Sequence, residues 1–245
     1  MTTASAPILS PDTIPNRFLS GADWSDPRYR SLMRDIAAIY RDEMRGQPHP
    51  FGAKNPDAII THWSREWEYP WAILNAEARP GMNVVDLGCG GSPLLPYLAR
   101  RIGCSCTGID LHFISPIGTH TLRGFAQDPA IQYPDITWLI ESMAALSLPD
   151  SSQDRVFCIS VMEHVDPPIA RATLAETFRV LRPGGRALIT TDVDGAHRTL
   201  TSTYEDLIAM AQAAGLKLRA PMNTICPEST PGTYGVVGFV LHKPS

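Results

Sequence analysis

The chain has 245 residues, 44% of them hydrophobic and 19% charged, with a net charge of −4. That composition suits a globular fold, while length alone leaves open one large domain or two small ones. The lack of a Lys/Arg run argues against nucleic acid or an anionic membrane as partner, and no apolar run reaches the roughly 20 residues that span a bilayer. The first residues lack the basic-then-apolar order of a secretory leader. Five cysteines include no set at zinc-like spacing, so the expectation is a cytoplasmic protein with reduced, mostly buried thiols and no metal.

In chain order, Met1 to Asp26 is rich in Ser, Thr, Pro and Ala and reads as a tail or an extended arm. From Arg28 to Arg45 the apolar positions recur at helical spacing until Gly46 and Pro48 end them. A second helical segment opens at Asn55-Pro56-Asp57 and carries Trp63, Trp67 and Trp71 on one face, with Pro70 expected to kink or break it. These indoles either pack the segment on the main domain or, with Tyr69, wall a substrate pocket. After Arg79-Pro80-Gly81, β-rich apolar runs alternate with helical ones. Strands are expected at Asn83–Leu87, Ser105–Ile109, Ile136–Ile140, Val156–Ser160, Ala187–Thr191, Leu216–Arg219 and Val236–Leu241. Helices are expected at Pro93–Arg101, within Gly118–Gln127, at Pro167–Leu181 and at Tyr204–Ala214. Such alternation predicts a doubly wound, Rossmann-like α/β fold: a mostly parallel seven-stranded sheet with helices on both faces and an N-terminal helical extension. The division expected is residues 1–80 as arm and substrate cover and 81–245 as catalytic domain.

In an open parallel sheet, ligands bind beyond the carboxyl ends of strands where strand order reverses. Two features fall there. Asp86-Leu87-Gly88-Cys89-Gly90-Gly91 follows the first strand of this domain, where Gly88 and Gly90 permit unusual dihedrals and close approach of backbone to a ligand. Asp110 closes the next strand at the spacing from the turn that lets a carboxylate reach the two hydroxyls of a ribose. Both would serve a nicotinamide-dependent oxidoreductase as well, but Pro93 stands where a dinucleotide fingerprint needs its third glycine.

The ordered set Val84-Val85-Asp86-Leu87-Gly88-Cys89-Gly90, Gly108-Ile109-Asp110, Leu148-Pro149-Asp150 ahead of Asp154-Arg155-Val156, Ser160-Val161-Met162-Glu163-His164-Val165 and Val180-Leu181-Arg182-Pro183-Gly184-Gly185 resembles class I S-adenosylmethionine-dependent methyltransferases. It is most similar to the ubiquinone- and menaquinone-biosynthesis group. The resemblance implies that Asp86, Gly88, Cys89 and Gly90 hold the aminocarboxypropyl end of S-adenosyl-L-methionine and that Asp110 holds its ribose. It further implies that Leu111 or His112 borders the adenine, that Glu141 or Ser142, with Met143, meets the adenine amino edge, and that Ser160 and Glu163 lie under the methionine portion.

Methyl transfer needs alignment more than acid–base help, and a base only where the acceptor must lose a proton. His164 is the candidate base, since it follows a strand at the catalytic edge and titrates in the useful range; a structural role is the alternative. Asp192, Asp194 and His197 could bind or orient a polar acceptor or form a weak metal site, with a solvated loop of capping carboxylates as the alternative, and Tyr234, in a Pro- and Gly-rich connection, could help cover the acceptor. The expectation is a methyltransferase acting on a small molecule, with a nicotinamide-dependent oxidoreductase or a non-catalytic partner subunit of the same fold as alternatives. Oligomeric state is not legible.

Overall fold

Val84 and Val85 are neighbours in sequence and both have no solvent exposure, yet they belong to different cores. Successive strand residues point to opposite faces, so a strand apolar at every position requires cover on both sides. The computed structural model of the chain describes residues 16–20, 23, 25–43, 64–111, 133–193, 203–224 and 235–245, and it supplies that cover. Its strands are β1 (Arg17–Phe18), β2 (Asn83–Leu87), β3 (Ser105–Asp110), β4 (Ile136–Ile140), β5 (Gln153–Ile159), β6 (Leu181–Val193), β7 (Lys217–Leu218) and β8 (Gly235–His242). The helices are α1 (Pro27–Glu43), α2 (Arg65–Ala76), α3 (Leu94–Tyr97), α4 (Pro167–Val180) and α5 (Tyr204–Ala213).

The sheet order is β1-β8-β6-β5-β2-β3-β4, with β7 also on β8. β2 to β6 are parallel where they pair, and β8 runs antiparallel to β6. Strand order therefore reverses between β2 and β5, which sets the carboxyl ends of these two strands side by side. One face is packed by α1, α2 and α3 through residues such as Ile36, Trp71 and Leu94. The other is packed by α4 and α5 through Leu174 and Leu207.

All seven expected strands form, and the doubly wound architecture with them. The differences are local and have physical causes. The N-terminal arm contributes an eighth strand, β1, on the outer edge of β8. It is anchored by Arg17, which pairs with Asp23 at 2.6 Å and lies 5.5 Å over the Trp67 ring, while Trp67 Nε1 donates to the same Asp23 at 2.8 Å. Pro70 sits inside α2 without ending it; only one backbone donor is lost, and ten buried residues of α2 hold the helix on the sheet. α3 is shorter than expected and widens into a π-type turn at Leu98–Ile102, closed by Gly103 in the left-handed region. β6 starts at Leu181, earlier than expected, because Arg182 to Gly185 bulge out of its pairing with β5. Asp166 makes no side-chain cap to α4, which starts on Pro167 alone. The expected helix start at Asn55 and the helix within Gly118–Gln127 lie outside the described residues. No helix among the described residues is long and apolar enough to cross a membrane.

Trp67 and Trp71 stack with centroids 5.5 Å apart directly above Gly238 of β8. A Cβ on Gly238 would lie 2.7 Å from two atoms of the Trp71 ring and 3.0 Å from Trp67. Because both indoles are fully buried, neither can yield. Gly238→Ala is expected to lower stability by about 1–3 kcal/mol, read as a fall in the urea midpoint at unchanged slope; a midpoint equal to the parent's would contradict the seat of α2 on β8.

Candidate functional site

The turn after β2 is built from backbone that reaches across to β3. Gly88 and Gly90 have φ of +68° and +48°, a region that favours glycine. The amides of Gly88 and Cys89 donate to the Ile109 carbonyl at 2.8 and 3.1 Å, and the Gly90 amide donates to Asp110 Oδ2 at 3.0 Å. The Val161 side chain sits against Gly88, 2.8 Å from where a Cβ would stand. Asp86, Gly88, Cys89, Gly90 and Asp110 thus form one unit with the end of β5 beside it. Asp86 is 2% exposed; burial, reinforced by the nearby Asp110 charge, pushes its carboxyl up to about 7. Burial also raises the Cys89 thiol well above its usual range. Tyr69, from α2, reaches this turn through a side-chain hydrogen bond with Ser92, and burial pushes its phenol up to about 12.

The ends of β5 and β6 are joined to α2 by a buried polar knot. Ser160, at φ +51°, donates from its amide to the Thr190 carbonyl at 3.1 Å. Its hydroxyl donates to Glu68 Oε1 at 2.5 Å, and Thr190 Oγ1 donates to the same oxygen at 2.6 Å. Arg65 pairs with Glu68 Oε2 and donates to Ser160 Oγ at 2.5 Å. Glu68 is fully buried. Beside the knot, Glu163 Oε2 accepts from Thr191 Oγ1 at 3.3 Å. Glu163 Oε1 and Asp192 Oδ1 are buried without a hydrogen-bond partner among the described residues. Burial, with further contributions from Asp192 and Glu68, pushes the Glu163 carboxyl up to about 8; burial and Glu68 bring Asp192 to about 6.

The remaining expected residues divide. His164 lies next to this group but is 60% exposed, with Nε2 3.9 Å from Glu163 Oε1. Leu111 is exposed at the end of β3. Glu141 Oε1 accepts from the Ser147 amide and Ser142 Oγ from the Ala144 amide, so both side chains brace the loop after β4, where Met143 packs partly against the core. Trp67 is fully buried between Trp71 and Arg17, so it packs α2 on the sheet instead of walling a pocket. Trp63, His112, Asp194, His197 and Tyr234 lie outside the described residues. Sequence reasoning missed Arg65, Glu68 and Thr190, and also Ile140, exposed at the end of β4 beside Asp110. The signal for the first two was present: an Arg and a Glu three apart in a helix whose other turns are aromatic and apolar.

Residues 84–185 match the family described as Methyltransferase domain. This segment is a methyltransferase domain. Across 149 residues the chain is 36% identical to a ubiquinone biosynthesis O-methyltransferase of Aeromonas salmonicida, covering 61% of this chain and 55% of that protein. It is 35% identical over 169 residues to one from Albidiferax ferrireducens, covering 68% and 59%. The chain therefore spans little more than half the length of these curated relatives. The fold is also that of a Haemonchus contortus phosphoethanolamine N-methyltransferase 2 solved with S-adenosylhomocysteine, with TM-score 0.57 at 15% identity over 89% of this chain and 59% of that one.

S-adenosylmethionine is the cofactor of such domains, and the residues at the turn fit it. A carboxyl whose proton affinity is raised by burial and by the neighbouring Asp110 charge stands beside the glycine turn, and the cofactor's methionine end is cationic. Arg65, Glu68 and Tyr69 reach the methyltransferase domain from a helix that precedes the matched segment. Breaking a buried pair leaves an uncompensated charge. Arg65→Met is expected to lose about 3 kcal/mol of unfolding free energy, and adding Glu68→Gln to recover part of it. Chemical denaturation of the single and double variants checks this, and an additive further loss would contradict it.

Proposed function

We propose that this protein is an S-adenosylmethionine-dependent methyltransferase that methylates a hydroxyl oxygen of a small molecule. The observation that carries the reading is the meeting, at the reversal of strand order, of the glycine turn, Asp110 and the buried Asp86 within a methyltransferase domain. Oxygen as the acceptor atom is supported by the O-methyltransferase relatives. The match to methyltransferases, with Pro93 at the third-glycine position, favours methyl transfer over hydride transfer.

When bound, S-adenosylmethionine supplies a methyl group on a positively charged sulfonium. The backbone of Gly88, Cys89 and Gly90, with Asp86, would bind its aminocarboxypropyl end, the carboxylate facing the ammonium. Asp110, already oriented by the Gly90 amide, would accept from the ribose hydroxyls. Leu111 and Ile140, on neighbouring strand ends, would flank the adenine, with His112 and the loop of Glu141, Ser142 and Met143 at its rim. Ser160, fixed by Glu68 and Thr190, would hold the end of β5 in place. Alignment of this kind is worth about 7–11 kcal/mol in well-oriented reactions. Residues 1–80 are proposed as the cover and 81–245 as the catalytic domain, with Tyr69 reaching inward from α2 and Trp63 and Tyr234 as further lining. A net charge of −4 supports a small acceptor over nucleic acid or a membrane surface. Among the described residues, Cys89, Cys104, Cys106 and Cys158 are buried free thiols, which supports a reducing, cytoplasmic setting.

Isothermal titration of the full chain is expected to show S-adenosylhomocysteine binding and no NAD(H) binding, with Asp110→Ala weakening the former by about tenfold or more because a buried hydroxyl pair loses its acceptor. Binding of an ammonium favours ionised Asp86, whose carboxyl is held up near 7 by burial in the free protein. Affinity should therefore fall as pH drops below about 7, with one proton released per ligand there, and this dependence should vanish in Asp86→Asn. Binding of NAD(H) in preference to S-adenosylhomocysteine would refute the reading.

A further inference from the structure

Glu163 was expected, by resemblance, under the cofactor's methionine portion, and His164 as the base. Glu163 and Asp86 have different charged neighbours. Asp86 feels Asp110 and Arg65, whereas Glu163 feels Asp192, Glu68 and Arg65, so Arg65 stands between two carboxylate sets. Glu163 has only 3% of its side chain exposed, and one of its oxygens accepts from Thr191 while the other, Oε1, has no hydrogen-bond partner among the described residues, its nearest charged group being His164 Nε2 at 3.9 Å. Asp192 Oδ1 is orphaned in the same way. Buried polar atoms are nearly always hydrogen-bonded in folded proteins, and two buried carboxyl oxygens left without a hydrogen-bond partner ask for a ligand that supplies one.

We infer that Glu163, and not His164, takes the proton of the methyl acceptor, that Asp192 binds a second donor group on it, and that His164 passes the proton to solvent. The inference rests on the methyltransferase reading above. In the step, the acceptor O–H bond breaks with its proton going to Glu163 Oε1, and the oxygen forms the bond to the methyl carbon. The carbon–sulfur bond breaks with its electron pair left on sulfur, which becomes a neutral thioether. The proton then moves to His164 Nε2, 3.9 Å away on a side chain 60% exposed, and on to water. The groups around Glu163 are Thr191 and Asp192 from β6, Arg65 and Glu68 from α2, and His164 on its own turn. Burial, reinforced by Asp192 and Glu68, holds its proton affinity up, as a base for a phenol-like hydroxyl needs, while its own backbone amide and Arg65 oppose them. A carboxylate in this range matches a phenolic hydroxyl of pKa about 10 far better than an aliphatic one.

The test uses the full chain, S-adenosylhomocysteine, labelled S-adenosylmethionine, and catechol as a probe with two adjacent donors. Catechol is expected to bind the S-adenosylhomocysteine complex of the parent and to be methylated, with kcat/KM rising through a midpoint near pH 8 to a plateau above it. Glu163→Gln should lower kcat/KM by about 100-fold or more and erase that limb, while its S-adenosylhomocysteine affinity stays within about twofold. Asp192→Asn, the second variant should the first fail to fold, should raise the KM for catechol more than it lowers kcat. His164→Asn should cost less than about tenfold and keep the limb. The inference is overturned if Glu163→Gln weakens S-adenosylhomocysteine as much as it weakens activity, if His164→Asn is the variant that loses the limb, or if the parent complex ignores catechol. Failure of the parent to bind S-adenosylhomocysteine would instead sink the methyltransferase reading itself.

Discussion

Glu68 has no contact with water, and a carboxylate in that position is tolerable only when every lone pair and the charge itself are met. Arg65, Ser160 and Thr190 meet them together, and those four residues come from α2, the end of β5 and the strand β6. The knot therefore does more than satisfy one acid. It ties the amino-terminal end of α2 to the end of β5 and to β6, so the helix that precedes the methyltransferase domain is held against it. The far end of the same helix is held by a second set of charges, with Arg155 and Arg186 donating to the carbonyls of Ala76 and Asn75. Between them, Trp67 and Trp71 seat the helix on Gly238.

With α2 so placed, Arg65 becomes the cation shared by two groups of acids. On one side stand Asp86 and Asp110 with the glycine turn, and on the other Glu163 and Asp192. One cation cannot neutralise them all. In the free protein burial and the crowding of acids raise the carboxyls of Asp86, Glu163 and Asp192. A positively charged donor and a hydroxyl acceptor would relieve that crowding: the first pairs with ionised Asp86, and the second gives its proton to Glu163.

Much of this was legible in the chain. Asp86 to Gly90 and Asp110 could be located because strand-end glycines and a second-strand carboxylate are local patterns, and the structure joins them through the Gly90 amide. The strands were visible because each is apolar enough to be buried on both faces. What escaped was long-range. Arg17–Phe18 is too short to carry a periodic signal and forms a strand only because β8 offers an open edge. The bulge at Arg182 to Gly185 looks like a break until β5 is set beside it. Glu68 looks like a solvated helix residue until Ser160 and Thr190, about a hundred residues later, are brought to it, and the contrast between buried Glu163 and exposed His164 is one that adjacent positions in a sequence cannot show.

The central claim is that the carboxyl edge of β2 and β5 holds a donor on the Asp86–Asp110 side and leaves Glu163 for the acceptor. A crystal structure of the full chain with S-adenosylhomocysteine bound tests it most directly. The account predicts the ribose hydroxyls on Asp110, the amino-acid end over Gly88 to Gly90 with its ammonium facing Asp86, and Glu163 Oε1 out of contact with the ligand. A ligand seated away from the glycine turn, or an ammonium resting on Glu163, would contradict it.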